Sequence, residues 1–459
     1  MTVRAFRQAA DHAPAVPNLL TELPGPRARE ILARDAAVTS PSLTRAYPLV
    51  AESGSGYVVT DVDGNQFLDF AAGIAVAASG HAHPAVVAAI QAQAEKLIHI
   101  AATDYYEPNY LELSERLAAL APFEEQARVF LTNSGTEAVE GAIKLARHHT
   151  GRPAIIAFEG AFHGRTMGSL SLTNSKIKQR AGFGPLLPMV YHAPFPRVRS
   201  WKEGSGGDGT AELDHLRNTI LGRLVSPHDV AAIVFEPIQG EGGYFPAPQK
   251  FVEGLREICD EHGIVLIADE IQSGMGRTGK MWAMEWYGVE PDVALLAKGI
   301  ASGMPLGAFI GRDHLFTWPA GAHGSTFAGN PVCCAASLAT LDLLEGPDGL
   351  IANAAAMGDR LRAGVEYASE ECGVVRDVRG QGLMLGVEFA SHDEANAVEL
   401  AAFERGLLVL ECGEASIRFC PPLMVDESAV DTAIRLYAEA LASVGCPIRP
   451  RPGMQETGG

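Results

Sequence analysis

The feature that most constrains the fold is a series of six short, almost continuously apolar runs along the chain. They are RVFLTNSG (128–135), AIIAFEG (154–160), AAIVFEP (231–237), IVLIADE (264–270), VALLAKG (293–299) and GAFIG (307–311). Strands this apolar are typical of a sheet covered on both faces. Between two of them, KFVEGLREICDEHG (250–263) has the spacing of an amphipathic helix that ends at a glycine. The alternation predicts an α/β fold with a mostly parallel central sheet.

The segments on either side of these runs predict smaller units. Residues 27–37 predict a short helix in a polar N-terminal arm, and 59–70 predict a β-hairpin with Asp63-Gly64 at its turn. Further predictions are a helix over 83–100, a second helix over 136–148, a surface loop at 200–213, helices after about 340, strand-like segments at 379–390, 407–412 and 416–423, and a disordered tail over 449–459.

This order predicts three parts. Residues 1–78 form the arm and a portion of a small domain, 79–345 form the large domain, and 346–459 form the rest of a smaller α+β domain.

Composition limits the classes of function. The 459 residues are 47% hydrophobic and carry a net charge of −19, which excludes a disordered chain and disfavours nucleic acid or an anionic membrane as partner. No apolar run is long enough for a membrane span, and the N-terminus has no apolar signal core. The seven cysteines are odd in number and form no C-x-x-C pair, so we expect reduced, unpaired thiols, no metal site and a cytoplasmic protein.

Polar residues follow the apolar runs, where ligands bind in parallel sheets. Lys298 follows VALLA, and a desolvated lysine has a lowered pKa and can form a Schiff base. Alternatively it is a lysine that reaches solvent from a strand edge. Asp269 ends IVLIAD and either holds a protonated ring nitrogen or caps a helix or pairs with an arginine. Ser134-Gly135-Thr136 opens a helix, as a phosphate cradle or as a plain capping box.

Taken together, a buried amine, a carboxylate and a phosphate cradle match the three functional groups of pyridoxal phosphate: its aldehyde, its ring nitrogen and its phosphate.

From about residue 44 to about residue 440, the sequence resembles the class III (ω-amino acid) pyridoxal-phosphate aminotransferases of fold type I. Within that family it is most similar to 4-aminobutyrate, ornithine and acetylornithine aminotransferases. The segments that carry the resemblance are DVDGNQFLDFAAGIAVAASGHAHP, LTNSGTEAVEGAIKLAR, FHGRT, EPIQGEGG, LIADEIQSGMGRTGK, LLAKGIASGMPLGA, GSTFAGNP, RGQGLMLGVE and IRFCPPL.

The resemblance implies roles in cofactor binding. Lys298 corresponds to the Schiff-base lysine that shuttles a proton, and Asp269 to the partner of the pyridinium nitrogen. Phe162 would stack on the ring, where an aromatic face suits a planar heterocycle. The remaining residues that the resemblance places around the cofactor are Ser134, Gly135 and Thr136 at the phosphate, His163 and Glu236 near the ring, Gln272 at the phenolic oxygen, and Thr326, which reaches the phosphate of a neighbouring subunit. That last role implies a homodimer with shared active sites, or a tetramer built from it.

The resemblance also implies roles in substrate binding. Arg418 corresponds to the arginine that takes the α-carboxylate of glutamate or 2-oxoglutarate, and Glu241 to the gate that masks this arginine when an ω-amino substrate is bound. Arg165 corresponds to the arginine that binds the distal carboxylate. From the residues alone, each of the three could instead form a surface salt bridge.

Two residues bear on the amino donor. Ile74 lies where 4-aminobutyrate aminotransferases have isoleucine and eukaryotic-type ornithine aminotransferases have tyrosine, and an apolar side chain suits a donor without an α-amino group. Asp104 points the other way, because a carboxylate near the substrate could bind the α-ammonium of ornithine or lysine; in a second interpretation it caps the following turn.

The expected reaction is therefore transamination from an ω-amino donor to 2-oxoglutarate, with 4-aminobutyrate first. Ornithine, lysine or N-acetylornithine is the second choice of donor. The sequence also leaves open an amino acid racemase or epimerase on the same fold, and a cofactor-binding protein without turnover.

Overall fold

The computed structural model describes residues 16–199, 207–346 and 349–449, and it confirms the α/β architecture. The strands, in chain order, are β1 (Ala51–Ser55), β2 (Val58–Asp61), β3 (Gln66–Asp69), β4 (Ala127–Thr132), β5 (Ala154–Phe158), β6 (Val190–Ala193), β7 (Val230–Phe235), β8 (Ile238–Gln239), β9 (Phe245–Pro246), β10 (Val265–Asp269), β11 (Val293–Leu296), β12 (Gly307–Arg312), β13 (Val375–Gln381), β14 (Met384–Phe389), β15 (Leu407–Leu408), β16 (Leu410–Cys412) and β17 (Ser416–Phe419).

The helices of six residues or more lie around these strands. They are Pro26–Val38, Pro84–Ala94, Pro108–Ala119, Gly135–Thr150, Met167–Leu172, Thr210–His215 with its continuation Leu216–Leu224, Gln249–His262, Pro331–Leu344, Leu350–Ser369, His392–Glu404 and Glu427–Ala440.

The central sheet has seven strands in the order β4-β12-β11-β10-β7-β5-β6. Strands β11, β10, β7, β5 and β6 pair in parallel, and β12 is antiparallel to both of its neighbours, β11 and β4. All six apolar runs are strands of this sheet, and the seventh strand, β6, was not predicted. Its sequence, Val190 to Ala193, is short and half polar, so it lacks the continuous apolar run.

The sheet is covered on both faces, because successive residues of a strand point to opposite sides. In β10, Leu266 packs in the cluster of the helix Gln249–His262, and Ile267 packs in the cluster of the helix Gly135–Thr150. Every residue of β5, β7 and β10 is buried. Polar side chains are therefore confined to the strand ends.

The antiparallel β12 brings a further segment to the carboxyl edge of the sheet. Gly307, its first residue, pairs with Thr132 at the end of β4, and Ala308 pairs with Leu296 at the end of β11. The turn before β12 therefore lies beside the ends of its neighbours.

Two smaller sheets lie outside the central one. The predicted hairpin is confirmed as β2 and β3, which form a four-stranded sheet with β1 and β15. The C-terminal sheet has the order β13-β14-β17-β16. The predicted strand at 407–412 is divided between them, since β15 pairs in parallel with β3 and β16 pairs with β17. The domain boundaries at 78 and 345 stay a prediction.

Other local predictions differ from the structure at their ends. The predicted helix over 83–100 is Pro84–Ala94, because the last six residues are not helical. The predicted loop at 200–213 lies partly outside the described residues, and its last four residues belong to the helix Thr210–His215. The predicted disordered tail lies outside the described residues from 450 onward. No helix in the described ranges combines the length and the apolar character needed to cross a bilayer.

The prediction of seven unpaired thiols is wrong for two of them. Cys372 and Cys446 form a disulfide, with Cα atoms 4.9 Å apart. They are separated by 74 residues, and the fold brings the segment after the helix Glu427–Ala440 next to the end of the helix Leu350–Ser369. A pairing of this kind depends on tertiary contact and leaves no mark in residue spacing.

Thiol counting tests this bond. Unfolding the protein without a reductant should expose five reactive thiols per chain, those of the free cysteines Cys259, Cys333, Cys334, Cys412 and Cys420. A count with a thiol-specific chromophore measures this, and treatment with a reductant before unfolding should raise the count to seven. Seven thiols in the unreduced sample would contradict the disulfide.

Candidate active site

A cavity of about 440 Å³ opens at the carboxyl edge of the central sheet. Its wall is built from the residues at and after the ends of β4, β5, β7, β10 and β11, and from the start of the helix Gly135–Thr150. The predicted site residues that line it are Ser134, Gly135, Thr136, Phe162, His163, Arg165, Glu236, Glu241, Asp269, Gln272 and Lys298. Residues far apart in sequence thus meet, because the carboxyl ends of parallel strands share one edge.

Lys298 lies two residues beyond the end of β11 and is partly open to the cavity. Its backbone has φ +46°, a left-handed conformation that a non-glycine residue adopts at a cost of about 1–3 kcal/mol, so the fold holds this residue in place. Burial lowers the pKa of the Lys298 amine, and Arg418 acts in the same direction while Asp269 opposes them. None of the ion pairs within the described residues includes this amine. It is therefore a nitrogen prepared for nucleophilic and proton-transfer chemistry.

Asp269, the last residue of β10, is buried beside two other titratable groups. His163 donates from Nδ1 to Asp269 Oδ2 at 2.7 Å, and the backbone N–H of Ile271 donates to Oδ1 at 3.1 Å. Burial acts to lower the pKa of His163, but the hydrogen bond to Asp269 outweighs it and the pKa is raised. The two hydrogen bonds therefore hold the Asp269 carboxylate in a fixed orientation at the cavity wall.

Glu236 follows β7 and accepts two backbone hydrogen bonds, from Phe162 N–H at 3.0 Å and from Gly240 N–H at 2.9 Å. Burial raises the pKa of Glu236 to about 7, with Asp269 adding to the rise and His163 opposing it. Glu236 thus ties two loops of the cavity together.

The helix Gly135–Thr150 begins at the cavity, with Ser134 as its N-cap. Its first N–H groups point along the helix axis and, with the positive end of the helix dipole, favour an anion. A Cβ at Gly135 would lie 2.9 Å from Ile271, and one at Gly164, with φ +127°, would collide with Thr136 Oγ1. Both glycines therefore allow a close approach that any side chain would block.

Glu241 lines the cavity and contacts two cations that are outside its lining. Arg418, in the middle of β17, donates from Nη1 to Glu241 Oε2 at 3.2 Å. Lys176 Nζ donates to the other oxygen, Glu241 Oε1, at 3.0 Å. Burial acts to raise the pKa of Glu241, but Arg418 and Lys176 outweigh it and the pKa is lowered. Glu241 is therefore a carboxylate shared by two cations.

Two further predicted residues have defined partners. Gln272 accepts a hydrogen bond from the buried Tyr244 hydroxyl at 2.6 Å. The guanidinium of the exposed Arg165 lies 5.6 Å from the centroid of the Phe162 ring. The Arg165 guanidinium therefore lies over the Phe162 ring at the mouth of the cavity.

Four predicted residues do not line the cavity. Arg418 is one of them, and it is linked to the cavity through its ion pair with Glu241. Ile74 is 41% exposed and lies in the turn Ala72–Ala75, where all four residues have positive φ. Asp104 is exposed, and its carboxylate accepts a hydrogen bond from the side-chain hydroxyl of the preceding residue, Thr103, so this bond does not cap the following turn. Thr326 is exposed in the loop before the helix Pro331–Leu344.

Some residues at the site were not predicted from the sequence. Lys176 stands 65 residues before Glu241 in a segment without a recognisable pattern, so only the folded chain reveals the contact. Tyr244 is likewise unmarked. Met304, Pro305 and Leu306 form an apolar wall, and the unexpected direction of β12 puts them there.

Comparison with known proteins identifies the class. The family model for class III aminotransferases matches residues 40–441. The alanine/serine racemase of Pyrococcus horikoshii is 36% identical over 93% of this chain and 92% of its own length. The 5-aminovalerate aminotransferase of Pseudomonas putida is 38% identical over 90% of this chain and 98% of its own. The structure of an (S)-enantioselective ω-transaminase from Thermomicrobium roseum superposes with a TM-score of 0.83 and 33% identity, covering 91% and 98% of the two chains.

This chain therefore belongs to the class III aminotransferase family, and the fold-type and family resemblance of the sequence is confirmed. It is an enzyme that depends on pyridoxal phosphate. The residues present fit that cofactor. The amine of Lys298 suits the aldehyde of the cofactor, and Asp269 suits its ring nitrogen. The helix terminus at Gly135 and the close approach that Gly164 allows suit its phosphate.

A glycine substitution tests the phosphate cradle. Gly164→Ala should weaken pyridoxal phosphate binding by about tenfold or more, because the new Cβ collides with the hydroxyl of Thr136. Titration of the apoprotein with the cofactor, followed by absorbance, measures the Kd. The matched control is Gly182→Ala, which has φ +85° but meets no atom within 4 Å. Equal Kd values for the two variants would refute the cradle.

Proposed function

We propose that this enzyme transfers the amino group of an ω-amino donor, with 4-aminobutyrate first, to 2-oxoglutarate, and so forms a semialdehyde and glutamate. The observation that carries the proposal is that Lys298, Asp269 and Glu241 line one cavity and that Glu241 is paired with the buried Arg418. The first two suit cofactor chemistry, and the pair suits alternation between two substrates.

Pyridoxal phosphate supplies an aldehyde that binds amines covalently and a ring that withdraws electrons from the substrate carbon. In the proposed assignment, Lys298 would hold the aldehyde before turnover and then carry a proton at its Nζ. Asp269 would hold the proton of the ring nitrogen, and the His163 hydrogen bond at 2.7 Å keeps that carboxylate oriented. Ser134, Gly135 and Thr136 would hold the phosphate, and Phe162 and Gln272 would hold the ring. Glu236 fixes the surrounding loops through its two backbone hydrogen bonds.

The substrate roles follow from charge. Arg418 binds the α-carboxylate of glutamate or 2-oxoglutarate, and Glu241 covers Arg418 when the donor has no α-carboxylate. The Nε of Arg418 is buried and has no hydrogen-bond partner in the described part of the chain, which leaves a donor available for a second carboxylate oxygen. Arg165, exposed at the cavity mouth, binds the carboxylate at the other end of the substrate.

The choice of donor rests on shape and polarity. Val76, Met304 and Leu306 give the cavity an apolar wall, which suits a short aliphatic donor. Ile74 supports the same choice through the family resemblance. The relative named 5-aminovalerate aminotransferase has, according to that name, a donor one methylene longer than 4-aminobutyrate. Asp104 makes its hydrogen bond within its own turn, so it lends less support to ornithine or lysine.

Racemisation is the second candidate function. It is supported by the alanine/serine racemase relative, which is 36% identical over 93% of this chain. Against it, a racemase returns the proton to the same carbon and has no need to alternate glutamate with an ω-amine. The closed pair of Glu241 with Arg418 therefore favours transamination.

The proposed assembly is a homodimer with shared sites, or a tetramer built from it. Thr326 is exposed, as a residue that reaches a neighbouring phosphate would be in a single chain. Its neighbour Phe327 and the nearby residue Ile98 are 64% and 65% exposed, and apolar exposure of this kind suits a subunit interface. A location in the cytoplasm stays part of the proposal.

Isotope transfer tests the proposed reaction. The holoenzyme with amino-labelled 4-aminobutyrate and 2-oxoglutarate should form labelled glutamate and a semialdehyde in equal amounts, measured by mass spectrometry. Lys298→Ala should lower the rate by about 10⁴-fold, because the proton carrier is lost. The control is Lys178→Ala, which should keep the rate because Lys178 is exposed. Absence of label in glutamate, with racemised alanine or serine instead, would overturn the proposal.

A further inference from the structure

The gate carboxylate, Glu241, contacts a second cation, Lys176, in addition to Arg418. Glu241 lies between two cations, with Oε1 at 3.0 Å from Lys176 and Oε2 at 3.2 Å from Arg418. The side chains are 26% exposed for Lys176, 20% for Glu241 and 5% for Arg418. The carboxylate thus bridges a deeply buried arginine and a lysine that lies nearer the solvent.

The two cations are held in place by the fold. Arg418 lies on β17, which is paired on both sides by β14 and β16. Lys176 lies two residues after Asn174, whose backbone bonds to Ala161 at 2.7 Å and to Gly160 at 3.3 Å, and it precedes the short helix Ile177–Gln179. Glu241 is therefore the member of the triad that can exchange partners by rotation of its own side chain.

Opening the gate creates a charge problem. When an α-carboxylate binds to Arg418, Glu241 must give up its bond to that arginine. A largely buried carboxylate without a cation is strongly unfavourable, since desolvation is no longer compensated. A second cation in contact with Glu241 removes this obstacle.

We propose that Lys176 is the alternate partner of the gate, a positioning residue that holds Glu241 while Arg418 binds the α-carboxylate of glutamate or 2-oxoglutarate. This inference rests on the proposed two-substrate function. With Lys176 present, the open state contains two neutral pairs, Lys176 with Glu241 and Arg418 with the substrate. Without it, the open state leaves Glu241 unpaired, while the closed state keeps its pair with Arg418.

The surroundings of Lys176 suit this role. A polar cavity of about 180 Å³ lies on its outer side, lined in part by Lys178, Glu411 and Ser416. The carbonyl of Glu241 accepts a hydrogen bond from Gly413 N–H at 2.7 Å, at the edge of the same cavity. The backbone of the gate is therefore fixed, and its second cation, Lys176, borders a polar space.

Half-reactions of the holoenzyme separate the two gate states. Glutamate requires the open gate and 4-aminobutyrate the closed gate, and each can be followed in a single turnover by the absorbance of the cofactor. Lys176→Met should lower the ratio of the glutamate rate to the 4-aminobutyrate rate by at least about tenfold, since only the open state loses its cation. Lys176→Arg should restore the ratio, and Lys178→Met, an exposed lysine two residues away, should keep it. An equal loss in both half-reactions would overturn the inference.

A double variant separates failure of this inference from failure of the proposed function. Glu241→Gln alone should slow the 4-aminobutyrate half-reaction more than the glutamate half-reaction, because Arg418 is then unmasked. Equal effects there would mean that the two-substrate gate is wrong. In the Glu241→Gln background, Lys176→Met should no longer change the ratio of the glutamate rate to the 4-aminobutyrate rate, because residue 241 then has no negative charge for Lys176 to pair with. If the gate passes its own test and Lys176→Met still acts in that background, the inference is overturned and Lys176 has a different role.

Discussion

Burial of the central sheet on both faces is the constraint on which the rest of the structure depends. Its central strands have no exposed face, so polar side chains cannot lie along them without loss of solvation. They are confined to the residues after each strand, and parallel pairing brings those residues to one edge. Asp269 and Lys298 meet there because β10 and β11 are neighbours and parallel. The cavity and its unusual chemistry follow from the same packing that stabilises the sheet.

Charges at this edge are arranged in pairs that fix one another. Asp269 is held by His163, whose raised pKa comes from that contact, and Glu241 is held by two cations. Lys298 differs, because burial lowers the pKa of its amine and no carboxylate lies within ion-pair distance among the described residues. The site therefore combines fixed carboxylates with one available amine, an arrangement that suits a cofactor with an aldehyde and a basic ring nitrogen.

Much of this arrangement could be predicted from the sequence, because the relevant signals are local. Each apolar run predicted a strand, and the residue after it predicted a cavity position, as for Asp269 and Lys298. The pairing of Cys372 with Cys446 and the contact of Lys176 with Glu241 could not be predicted, because both depend on segments that approach only in the folded chain. Ile74 and Asp104 are exposed and do not line the cavity, so their roles stay predictions.

A spectral titration of the holoenzyme without any keto acid distinguishes transamination of an ω-amino donor from racemisation at this cavity. We expect 4-aminobutyrate to remove the absorbance of the lysine-bound cofactor and to leave the pyridoxamine form, with one semialdehyde formed per site. Adding 2-oxoglutarate should then restore the first spectrum. An unchanged cofactor, together with loss of optical rotation from an α-amino acid, would contradict transamination and identify a racemase.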